Sequence, residues 1–95
     1  MYYETKIAIR KAFAVSKMLF GLGRGKYEEL LAIATAIKQP TLEELLPYVE
    51  SGYSREDAIV IELQTRYKKA AILVGLPEEY GLAMLEYAAL EQESR

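Results

Sequence analysis

SREDAIVIELQTRYKKAAILV, residues 54–74, is the longest stretch of this chain without glycine or proline, and its reading decides the fold. Stretches 58–63 and 70–76 are rich in β-branched residues, and either alone suits a buried strand. No turn signal separates them, so a single long helix is the simpler reading. Ser54 stands where an N-cap belongs, and Gly75-Leu76-Pro77 supplies the stop. On that helix Ile59, Leu63, Tyr67, Ala70 and Val74 share one face, and Glu62 with Arg66 forms an i,i+4 pair.

Working outward, Pro77 suits a first turn, and Glu78-Glu79 open a helix running to about Gln92. Upstream, Thr41-Leu42-Glu43-Glu44 is a capping-box pattern, and the helix it starts extends to about Glu50. Pro47 is expected to kink or divide that helix, and Gly52 to cap its C-terminus. Residues 27–38 carry Leu30, Leu31, Ala34 and Ile37 at helical spacing and end before Pro40. Residues 4–20 contain no breaker and stop at Gly21-Leu22-Gly23-Arg24-Gly25. The pattern predicts an all-α single domain spanning 1–95, a compact bundle of four to five helices. A basic N-terminal helix at about 4–20 precedes an acidic helical body at about 27–93.

Composition narrows the function. The chain has 95 residues, 52% hydrophobic and 27% charged, which suits a globular domain and not a disordered one. No run of 18 uncharged apolar residues occurs, so the chain is expected not to be transmembrane. Cysteine is absent, which fits a reducing compartment and a cytoplasmic location. Lys6, Arg10 and Lys11 precede an apolar stretch as in a secretory signal. However, Lys17 interrupts that stretch and no Ala-x-Ala cleavage pattern follows.

Chemistry-bearing residues are sparse. Histidine and cysteine are both missing, which removes the commonest general base, the commonest metal ligands and thiol nucleophiles. The Glu-Glu pairs at 28/29, 43/44 and 78/79 are assigned to first helical turns, where negative charge complements the helix dipole. Gly21-Leu22-Gly23-Arg24-Gly25-Lys26 invites a phosphate-loop reading. Yet Tyr27 follows the lysine where Walker chemistry needs Ser or Thr, and the preceding segment reads as helix, not strand. It is expected to be a flexible, basic helix–helix connection. We expect no enzymatic activity, no cofactor and no metal.

Charge asymmetry is the most informative feature. Residues 1–26 hold six basic residues and one acid, for +5, whereas residues 27–95 hold six basic and thirteen acidic ones, for −7. At about 100° per residue, Lys6, Arg10 and Lys17 fall within about 40° of one another, as do Glu79, Glu86 and Glu93. Most of the remaining circumference of both helices is apolar. Each ridge suits the solvated edge of a mostly buried helix. The two ridges also suit pairing with each other, and the basic one suits a polyanion: nucleic acid or an anionic membrane surface. Lys6, Arg10, Lys17, Arg24, Lys26 and Arg55 are the candidates for charge pairing or polyanion contact. The sequence pI of 5.2 argues against a dedicated nucleic-acid binder.

Helices apolar on most sides need neighbours on several sides, which four short helices cannot supply everywhere. Self-association or a protein partner is therefore expected, with Ile9, Phe13, Phe20, Tyr80, Met84 and Tyr87 as interface candidates. Eight tyrosines suit surfaces that must be apolar and still tolerate water.

Residues 45–58, with Ser51-Gly52-Tyr53 between two helices, resemble the first two helices of ubiquitin-associated domains, which carry Met-Gly-Phe there. The resemblance covers about twenty residues and implies a partner-binding loop at Gly52 and Tyr53. It stops where the second helix runs past Leu63. The same stretch is similar to a DNA-binding helix-turn-helix, with Gly52 at the turn and Arg55 opening a recognition helix. Pro47, Tyr48, Glu56 and Asp57 depart from that pattern. The function expected is therefore a non-enzymatic interaction or assembly module with charge-guided pairing. The alternative is a small helix-turn-helix DNA-binding protein using residues 41–75 and the basic N-terminal segment.

Overall fold

The computed structural model describes Val15 and residues 17–93, which are helical with no strand among them. A segment designated α1, described at Val15 and 17–20, is followed by α2 (Arg24–Thr35), α3 (Leu42–Glu50), α4 (Arg55–Leu73) and α5 (Glu78–Glu93). The decisive stretch is thus one helix of 19 residues. No helix among the described residues is long and apolar enough to cross a membrane.

The caps form as the local sequence requires. Thr41 accepts from the Glu44 amide at 3.3 Å while Glu44 Oε1 accepts from the Thr41 amide at 2.9 Å, completing the capping box. Ser54 Oγ accepts from the Asp57 amide at 3.2 Å and opens α4. Gly52 takes φ 103° just beyond α3, a left-handed turn that favours glycine.

Several boundaries differ from expectation. α2 begins at Arg24, so the basic connection is only partly a loop. Gly25 lies in the first turn, where amides lack intrahelical partners in any case and a glycine disturbs little. That start places Glu28 and Glu29 beyond the first turn of α2. They sit instead opposite cations, Arg24 Nε to Glu28 Oε1 at 3.1 Å and Lys26 Nζ to Glu29 Oε2 at 3.3 Å. α2 also ends at Thr35, ahead of Lys38. Pro47 does not divide α3. Its missing N–H forfeits one bond, to the carbonyl of Glu43 in the exposed first turn. Its own carbonyl accepts from the Ser51 amide and hydroxyl.

The core joins α1, α2, α4 and α5 through Val15, Leu19, Leu30, Ala34, Ala70, Ala71, Ala83 and Met84. The buried centre of α4 is alanine at 58, 70 and 71, with Tyr67 and Val74 packed beside the core. Ile59 and Leu63 are only half-buried. α5 lies close against α4. A Cβ on Gly81 would lie 2.1 Å from the Tyr67 carbonyl oxygen and 3.0 Å from Lys68 Cα, so the two backbones touch. Small side chains on α4 allow that approach, and α4–α5 is the most extensive helix pairing.

α3 stands apart from this core. Among α2–α5 it packs on α4 alone, with Leu45 and Ala58 buried between them.

Candidate interaction surface

α3 buries one edge and leaves another apolar edge outside. Leu45 turns inward, whereas Leu42, Leu46 and Val49 are 62%, 49% and 44% exposed. At about 100° per residue these three fall within about 60° of arc, so they form a stripe on the outer face. An ordinary surface helix puts polar residues there. Tyr53, half-exposed just past the turn, extends the stripe and meets Tyr48 edge-on at 6.5 Å. Charge around the stripe is one-sided. Residues 41–57 hold Glu43, Glu44, Glu50, Glu56 and Asp57 against Arg55, five acids less one base, or −4.

A polar network clamps α3 to α4. The Tyr48 hydroxyl donates to Glu62 Oε2 at 2.7 Å, and Glu62 Oε1 accepts from Arg66 Nε at 3.2 Å. Arg66 also donates to the Lys38 carbonyl at 2.9 Å and to Glu44 Oε2. One guanidinium fork therefore holds the α2–α3 loop, the first turn of α3 and the middle of α4. The hydrogen bonds from Thr41, with Arg66 adding to them, hold the Glu44 carboxyl below its ordinary range. The hydrogen bond to Glu62 and partial burial raise the Tyr48 hydroxyl, and burial alone raises Tyr67. These shifts serve the clamp and the core. Among the described residues no group of three or more acidic side chains converges as a metal ligand set would.

The candidate cations do not form one patch. Lys6 and Arg10 lie outside the described residues. Lys17 and Arg24 are exposed. Lys26 Nζ donates to the Val74 carbonyl at 2.7 Å. That bond places a cation at the C-terminal end of α4, which has no basic residue in its own last turn. Arg55 opens α4 at the opposite end, roughly 28 Å away at about 1.5 Å per residue. Arg55, the residue that opens the recognition helix in the helix-turn-helix reading, thus lies at the far end of α4 from Lys26.

The interface candidates also separate. Ile9 and Phe13 lie outside the described residues. Phe20 is exposed and stacks on Tyr27 at 5.8 Å. Tyr80 and Tyr87 are half-buried against the core. Met84 is 2% exposed and belongs to the chain's own core, so it offers no surface. Its helix packs closely enough on α4 to enclose it. Beside it an open groove is lined by Val15, Met18, Leu82 and Leu85, with Glu79 and Glu86 of the acidic ridge and Gln64. Sequence reasoning passed over the α3 stripe, although its 42/46/49 spacing was legible; which face α4 covers was not.

No family model, curated protein or solved structure matches this chain. The likeness to ubiquitin-associated domains ends at Leu63, past which α4 runs unbroken to Leu73.

Proposed function

We propose that this chain is a non-enzymatic interaction or assembly module that works through apolar helical faces whose pairing is guided by charge. The observation that carries the reading is the outer face of α3, where Leu42, Leu46 and Val49 are exposed together while Leu45 holds the helix to α4. Exposed apolar residues grouped on one face in this way are what interaction sites present. DNA binding through residues 41–75 and the basic N-terminal segment is the second reading, supported by the turn at Gly52 alone.

Light scattering on a size-exclusion column, with absorbance read at 260 and 280 nm on protein prepared without nuclease, separates the two. A protein peak at a multiple of 10.8 kDa, or a co-eluting protein partner, supports assembly. A peak rich in 260 nm absorbance that disappears in high salt supports DNA binding, because phosphate contacts weaken steeply with salt and apolar ones do not. A chain that stays monomeric at all concentrations and binds neither an apolar helical peptide nor nucleic acid overturns both.

A further inference from the structure

Resting on the assembly reading, we infer that the outer face of α3 docks a basic amphipathic helix of a partner protein, not a second α3. The apolar contact is Leu42, Leu46 and Val49, with Tyr53 at one end. Their three-to-four-residue spacing matches the ridge of a helix laid alongside. Glu43 and Glu50 border the stripe on the side away from α4, since the inward edge is Leu45 and Tyr48. Glu56 and Asp57 follow at the start of α4. An antiparallel pairing of two such faces would bring Glu43 of one copy against Glu50 of the other, and like charges across an interface oppose association. A helix with Lys or Arg beside its apolar ridge meets the same acids favourably. The face is also pre-organised. The capping box fixes one end of α3, and Arg66 and the Tyr48–Glu62 bond fix it to α4, so little ordering remains on binding.

The probes are three labelled helical peptides: one with leucines on one face and flanking lysines, one with glutamates replacing the lysines, and a scrambled lysine peptide. Anisotropy is read with the full chain at about 0.15 M salt, where exposed charges are partly screened. The lysine peptide is expected to bind best, and Leu46→Glu to weaken it by about tenfold or more, as central apolar anchors do. The double variant Glu43→Lys/Glu50→Lys should shift preference to the glutamate peptide. Leu73→Glu, at an exposed apolar site on α4, should change nothing. Helicity of each variant, read by circular dichroism, should match the parent, because the altered side chains face outward. Equal binding of the scrambled or glutamate peptide, or indifference to Leu46→Glu, overturns the inference. If no peptide binds while light scattering shows an oligomer that survives Leu46→Glu, the α3 assignment fails and the assembly reading stands. If no peptide binds and the chain is a bare monomer, both fail.

Discussion

Gly81 sits in the first turns of α5 with its Cα against the backbone of α4, and Gly81→Ala tests that packing directly. Helix propensity alone predicts a gain of about 1 kcal/mol for this substitution. The tertiary structure predicts the opposite sign. The new Cβ would stand 2.1 Å from the Tyr67 carbonyl oxygen and 2.6 Å from its carbon, where ordinary contact begins near 3.4 Å. The atoms it meets are backbone, so no side-chain rotation relieves the clash. The helices must part by roughly 1 Å, enough to forfeit a quarter to a half of the dispersion attraction at the contact. Overpacking costs about 1–3 kcal/mol, and a backbone clash belongs at the upper end, so the net loss is about 2 kcal/mol after the propensity gain. For a domain of this size that lowers Tm by roughly 8–16 °C. Thermal unfolding followed by far-ultraviolet circular dichroism is the assay. Gly25→Ala is the control, because nothing lies within 4 Å of a Cβ there, and it should be neutral or slightly stabilising. A Gly81→Ala protein that melts at or above the parent temperature would refute the close α4–α5 approach.

Arg66→Lys should lower stability by about 1–3 kcal/mol in chemical denaturation. An ammonium cannot serve Glu62, Glu44 and the Lys38 carbonyl together, and parental stability would show that the fork is dispensable. Lys26→Met should cost about 0.5–1 kcal/mol by removing the bond to the Val74 carbonyl, and amide exchange should rise first in the last turn of α4. Glu44 has its folded pKa lowered, so its contribution is present above its ordinary value of 4.5 and is lost as pH falls through the folded value. Stability of the parent chain should therefore decline below about pH 4.5, and that decline should be smaller in Glu44→Gln. Equal acid limbs in the two proteins would show that the bonds of Glu44 to Thr41 and Arg66 add no stability.

The parts of this protein that the sequence by itself determined are those decided within about four residues. The capping box at Thr41 and Glu44, the N-cap at Ser54, the turn at Gly52 and the Glu62–Arg66 pair all form as their spacing dictates. The absence of a turn signal between 58–63 and 70–76 likewise settled helix over strand. Tertiary structure alone decided which apolar residues are covered. Met84 was expected at an interface and is buried, while Leu42, Leu46 and Val49, which the sequence reading did not single out, face outward. Periodicity marks a face as apolar but carries no information about what lies opposite it. That depends on contacts far apart in sequence: Gly81 on Tyr67, Lys26 on the carbonyl of Val74, and Arg66 on Glu44 and Lys38. Such contacts form only once the chain has closed its loops. The helices are therefore legible in the local sequence, and the surface they leave unpartnered is a property of their packing.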